Sequence, residues 1–204
     1  MAGDPIFLVC QGRSGGSIVA HALAEALPNA TLLMEPFHPD LRTHAKAQPK
    51  RTPKHLRHHG VTDPWRGYVG VDFTEQASMG DHPRRKADWL HSLVDQVEKR
   101  PVIKVTRMWG HVHYLTGCGG LGATVIHLWR DWEEQWKSYS GLGFPRDYFG
   151  EWRYGYSSGP PLGDLSDRDF HRAMWQKAKE EGRLWADFSV SLEQVTRFAG
   201  FFRK

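Results

Sequence analysis

The stretch I6-F-L-V-C-Q-G-R-S-G-G-S-I-V-A-H-A-L23 decides the reading of the whole chain. Ile6–Gln11 is a short, β-rich apolar run with no polar alternation, the pattern of a strand covered on both faces. Gly12 ends it. From Ser17 to Leu27 the apolar positions recur at helical spacing, with Ile18, Ala22 and Ala26 on one face and Val19, Leu23 and Leu27 beside them. Pro28-Asn29 stops that helix. Between strand and helix lie Gly12, Gly15 and Gly16, which let the backbone wrap closely around a ligand. Amides at the start of the helix, together with its dipole, favour an anion. Ser14 and Ser17 add hydroxyls and Arg13 adds a charge, so the turn reads as a phosphate cradle. A plain glycine-rich turn is the alternative. The lysine of the G-x-x-x-x-G-K-[ST] pattern is missing, which disfavours magnesium–nucleotide hydrolysis.

Working outward, Thr31–Met34, Tyr68–Phe73, Pro101–Thr106 and Thr124–Trp129 read as further strands. Arg84–Lys99, Trp109–Leu115 and Trp132–Tyr139 read as helices. Ser166 caps a helix running toward Phe188, and Ser191 caps a last one through Phe201, with Glu193 in its first turn. Residues 36–66 and 141–163 read as long loops, the first with a little helix near Lys54–His58. Strand and helix alternate, so the expected fold class is α/β. The expectation is one three-layer domain over residues 1–204, with a central, mostly parallel sheet and helices on both faces. Ligands in such folds bind at the carboxyl ends of the strands.

The chain has 204 residues, 40% apolar and 25% charged, which suits an ordinary domain with a proper core. Lys plus Arg exceed Asp plus Glu by only 27 against 23, too little to argue for nucleic acid. Residues Arg42–His59 hold six Lys or Arg, four His and no acid, but no nucleic-acid motif accompanies them. Neither a basic leader nor a long apolar run is present at the start, so a cytoplasmic location and no membrane contact are expected. Cys10 and Cys118 read as reduced apolar residues. The 12 His show no zinc-ligand spacing, so no metal is expected.

A second segment carries chemistry: I126-H-L-W-R-D-W-E-E-Q-W-K-S-Y-S140. Arg130 stands where a buried strand ends, and Ser138 follows eight residues later, about two turns along a helix. Such a pair clamps a second phosphate through charge-assisted bonds. A surface pair of Arg130 with Asp131 is the plain alternative.

Together, "GRSGGS" and "RDWEEQWKS" resemble the family of sulfotransferases that use 3′-phosphoadenosine 5′-phosphosulfate (PAPS). Members carry a "GRSGTT"- or "PKSGTT"-like loop and an "RDP…S" segment of the same spacing. "LLMEPFH", "VIKVTR" and the closing "LWADFSVSLEQVTRFAGF" echo further family segments. The resemblance implies a P-loop NTPase-like sulfotransferase fold. PAPS would be the co-substrate, and adenosine 3′,5′-bisphosphate the product. It implies that Arg13, Ser14, Gly15, Gly16 and Ser17 hold the 5′ end, and that Arg130 and Ser138 hold the 3′-phosphate. Gly16 stands in place of the usual Thr, and Trp132 in place of the usual Pro.

Sulfuryl transfer needs a base at the acceptor and positive charge at the leaving oxygen. Glu35, at the end of the second strand, is the candidate base, and His38 its rival. Arg13 is the candidate for the leaving oxygen. Lys104 and Arg107 end a strand on the same rim, and Arg107 is preferred because side-chain alternation lets Lys104 point away. The expected acceptor is a hydroxyl or amine of a small molecule or carbohydrate, walled by 36–66 and 141–161. A P-loop-like kinase, or an inactive sulfotransferase-like nucleotide binder, remains the alternative. No oligomeric state is read.

Overall fold

The computed structural model describes residues 3–38, 68, 83–106, 108–109, 112–117, 121–141 and 166–201. The basic segment Arg42–His59, most of the expected strand Tyr68–Phe73, Cys118 and the aromatic loop after Gly141 lie outside the described residues. In chain order the elements are β1 (Ile6–Cys10), α1 (Gly16–Ala26), β2 (Ala30–Met34), α2 (Pro83–Asp95), β3 (Arg100–Val105) and α3 (Val112–Gly117). They continue with β4 (Thr124–Trp129), α4 (Trp132–Ser140), α5 (Asp167–Trp185), β5 (Phe188–Ser191) and α6 (Leu192–Phe201).

The five strands form one sheet in the order β2-β3-β1-β4-β5, and every pairing is parallel. All five residues of β1 are buried, as its unbroken apolar run requires. Phe7, Val9, Ile103, Val105 and Val125 face a core closed by Trp89, Leu90 and Leu93 of α2 and by Phe170, Met174 and Ala178 of α5. Leu8, Cys10, Val102 and Leu128 face the opposite core, closed by Val19 and Ala20 of α1, with Val195 of α6 at its margin. The result is the three-layer α/β arrangement, with helices on both faces of the sheet. Among the described residues no helix is long and apolar enough to cross a membrane.

Two local expectations are corrected. α5 does not run on to Phe188. It ends at Trp185, where Ala186 is extended at ψ 147, and residues 188–191 instead join the sheet edge as β5. The Asp187 carboxylate anchors that turn by accepting from the Val125 amide at 2.7 Å. Within α1, the helix packs through Val19 and Ala20, while Ile18 is 76% exposed. The two serine caps are present. Ser166 accepts from the Asp169 amide at 3.2 Å. Ser191 accepts from the Gln194 amide at 3.1 Å, and the Gln194 side chain returns to the Ser191 amide at 2.7 Å, a reciprocal capping box.

His127 of β4 and His171 of α5 are buried, and burial pushes both imidazoles down to about 4 from 6.5. An unfolded chain takes up these protons near 6.5, while the folded chain resists until about 4. Stability is therefore intact above the unfolded value and falls as pH drops through this window. Each histidine contributes on the order of 3 kcal/mol to that loss. Urea melts taken stepwise across the window should show the midpoint falling on acidification, and His127→Asn should flatten the slope.

Candidate functional site

The loop after β1 gains its shape from left-handed backbone at Arg13 (φ 62) and Gly15 (φ 78). Gly15 is the N-cap of α1. No side chain caps that terminus, and its first turn holds no acid. The amides of the turn are therefore not claimed by a side-chain cap, and no carboxylate there offsets the helix dipole.

Strand order explains what gathers here. β1 lies between β3 and β4, with Cys10 opposite Leu128 and Leu8 opposite Lys104. Arg130, just past β4, therefore emerges beside the glycine loop. A cavity of about 350 Å³ opens at these strand ends. Gly15, Gly16 and Ser17 line it from the loop, Arg130 and Ser138 from the β4–α4 segment, and Lys104 from β3. Arg13 Nε donates to Ser138 Oγ at 3.0 Å, and Arg130 Nη1 approaches the Arg13 carbonyl at 3.5 Å. The two sequence segments thus share one cavity. Ile18 and Leu192 add an apolar margin.

Asp131 does not pair with Arg130. Its carboxylate accepts from the amides of Glu133 and Glu134 at 3.0 and 3.2 Å, capping α4. The Arg130 guanidinium meets Glu134 at 3.6 Å instead.

Other candidates fall elsewhere. Ser14 is buried beneath the loop, and its hydroxyl accepts from Gln135 Nε2 at 2.9 Å. Glu35 and His38 are not among the cavity walls. Glu35 adopts φ 51, and its carboxylate accepts from the Lys104 ammonium, from the Thr106 hydroxyl and from the Thr106 amide at 3.0 Å. Burial pushes the Glu35 carboxyl upward, but the Lys104 charge and these hydrogen bonds outweigh it and hold the group below its ordinary value. His38 closes a tight turn, its amide donating to the Glu35 carbonyl at 3.0 Å. Tyr68 donates to its carbonyl. Arg107 lies outside the described residues.

Lys104 points into the site rather than away from it. It is 8% exposed, and its Cε lies 3.2 Å from the position that a Gly16 Cβ would take. The same Cβ would sit 2.3 Å from Cys10 Sγ. The loop therefore has no room for a lysine at position 16; the Lys104 side chain of the neighbouring strand passes there instead, its ammonium turned to Glu35 and Thr106. Cys10 is a buried free thiol, and burial pushes its pKa up to about 11 despite the nearby Lys104 charge.

Gln135 and Trp175 gain contacts that the sequence reading does not assign to them. Gln135 is fully buried and reaches the loop from α4. Trp175 of α5 donates to the Arg130 carbonyl at 2.7 Å and stacks edge-on against Trp129. A polar amide on the face of α4 that turns inward is the available signal for Gln135. Nothing local signals the Trp175 contact, which depends on how α5 lies across the sheet.

No protein-family model and no curated protein matches the chain. Among solved structures, a shikimate kinase from Bacteroides thetaiotaomicron aligns over 98% of this chain and 98% of its own, at 14% identity and a TM-score of 0.44. An uncharacterised protein from Eubacterium ventriosum aligns over 98% and 97%, at 11% identity and a TM-score of 0.42. Likenesses this distant assign no activity to the chain.

Proposed function

We propose that the chain transfers a sulfuryl group from PAPS to a hydroxyl or amine of a small-molecule or glycan acceptor. One observation carries the reading: the glycine loop and the Arg130–Ser138 pair open into the same cavity, joined by the Arg13–Ser138 hydrogen bond. A nucleotide phosphorylated at both the 3′ and the 5′ position of its ribose uses such a double anion site in full.

In this reading the 5′-phosphosulfate lies on the amides of Gly15–Ser17, and the 3′-phosphate on Arg130 and Ser138. Ile18 offers an apolar surface to the base. The acceptor oxygen attacks sulfur and passes its proton to Glu35, which lies behind Lys104 outside the cavity wall and is reached only once Lys104 turns away from it. The bond from sulfur to the bridging phosphate oxygen breaks, leaving adenosine 3′,5′-bisphosphate. Arg13 and Lys104 meet the charge that grows on that oxygen. As Lys104 turns from Glu35 to the leaving oxygen, the carboxylate loses the partner that lowers its pKa and becomes the stronger base.

A second reading is favoured by the Lys104 side chain beside Gly16, which supplies a cation where a Walker loop supplies its own. Phosphoryl transfer from ATP is that reading. The test is calorimetric titration with adenosine 3′,5′-bisphosphate and, in parallel, with ATP and magnesium, followed by turnover assays with labelled PAPS. Glu35→Gln should retain nucleotide affinity within about three-fold and lose about 100-fold or more in turnover. Binding of ATP–magnesium in preference to the bisphosphate would overturn the sulfuryl-transfer reading.

A further inference from the structure

A loop that binds an anion through its amides must turn its carbonyl oxygens elsewhere, because an inward carbonyl repels the ligand. Glycine peptides rotate at little cost, so something has to hold them. Four carbonyls of this loop have identified donors. Gln11 accepts from the Ser14 amide at 3.4 Å. Arg13 accepts from the Arg130 guanidinium at 3.5 Å, and Gly15 from the Ile18 and Val19 amides at 3.1 and 3.2 Å. The Gly12 carbonyl accepts from Gln135 Nε2 at 2.6 Å, the shortest of the set.

Gln135 is 0% exposed, and the same nitrogen also donates to Ser14 Oγ. A carbonyl only accepts, so the amide nitrogen must face Gly12, and both of its hydrogens are then used. The cost of this arrangement is visible in Oε1, which is buried without a hydrogen-bond partner among the described residues. A side chain chosen only to fill space would not incur it. One turn further along α4, the Tyr139 hydroxyl sits 2.3 Å from where a Gly12 Cβ would lie, so the helix also closes over the loop sterically.

The geometry points to Gln135 as a positioning residue that locks the Gly12 peptide unit and the Ser14 side chain from α4, keeping the loop amides turned toward the bound anion. The inference rests on the reading of this cavity as an anion site. It needs no particular nucleotide. It also makes α4 a shared support, one helix that presents Ser138 to the cavity and braces the loop opposite.

The test compares wild type, Gln135→Leu and the near-isosteric Gln135→Glu. Each is titrated with inorganic pyrophosphate and with adenosine 3′,5′-bisphosphate well below its melting temperature, and melted without ligand. Gln135→Leu should weaken both ligands about ten-fold, and Gln135→Glu by at least as much, since it replaces two donors by a charge of the wrong sign. The amide resonances of Gly15 and Gly16 should shift in both variants. A lower melting temperature with unchanged Kd would show that Gln135 only supports the fold, and would overturn the inference. Should Gln135→Leu not fold, Gln135→Glu decides alone. Pyrophosphate binding that depends on Gln135, without preference for the bisphosphate nucleotide, upholds the inference and defeats the sulfuryl-transfer reading. Wild type binding neither ligand defeats both.

Discussion

Arg130→Ala is expected to lower affinity for adenosine 3′,5′-bisphosphate by about 100-fold, and to remove most of the ligand-induced rise in Tm. The guanidinium stands at the carboxyl end of β4 and lines the cavity beside Ser138. Its protein partners are modest: a long contact to the Arg13 carbonyl and a 3.6 Å approach to Glu134. The Arg130 and Glu134 side chains are 27% and 48% exposed, so their pair contributes little to folding. The ligand-free Tm should therefore stay close to that of wild type, and the loss should appear in binding alone. Arg130→Lys keeps the charge but loses the planar fork, and should recover only part of the affinity. Calorimetric titration of the three proteins checks this. Unchanged affinity in Arg130→Ala would remove the 3′-phosphate pocket from the proposal.

The second large effect is structural. Gly182 lies near the end of α5, and a Cβ there would stand 1.9 Å from His127 Nδ1 and 2.1 Å from its Cγ. In an exposed helix, glycine to alanine stabilises by up to about 1 kcal/mol. Here the sign reverses. His127 is 1% exposed and its Nδ1 lies 3.3 Å from Ser189 Oγ, so the ring has nowhere to go unless α5 lifts from the sheet. Gly182→Ala should cost about 3 kcal/mol or more, a fall in Tm of about 10 °C. Removing the obstruction should restore part of it. The double variant Gly182→Ala/His127→Ala is expected to be more stable than the sum of the single losses. Thermal melts of the four proteins complete the cycle, and strict additivity would show that the notch between Gly182 and His127 is not tight.

The parts of the site carried by one continuous segment are legible in the sequence. The β1 run, the glycine turn and α1 announce themselves through unbroken apolarity, then glycine, then helical period. Arg130 and Ser138 stand out because their spacing on a strand end and a helix is itself local. That the two segments meet depends on β1 and β4 being neighbours, a pairing that no residue encodes alone. Lys104 is misjudged from sequence because alternation is informative only where one face of a strand meets water. Five of the six residues of β3 are buried, so parity does not say which side holds the site. Val102, two residues earlier, shows the answer in space, since it packs in the α1-side core, and the Lys104 side chain on the same side passes beside Gly16. β5 merges with the preceding helix in a sequence reading because four residues are too few for periodicity to separate. Its anchor is the Asp187 carboxylate on a strand 62 residues earlier in the chain.

The ion pair between Lys104 and Glu35 has one more consequence. The ammonium that would greet an arriving anion is already satisfied by a carboxylate of the same chain, and so the cavity exerts a weaker pull than its cations alone suggest. An ion that uses Lys104 must dislodge that resident before it gains the ammonium. Under the proposed reading, a guest anchored simultaneously at the glycine turn and at Arg130 offsets that cost through its other contacts, so the pair favours visitors that use several handholds.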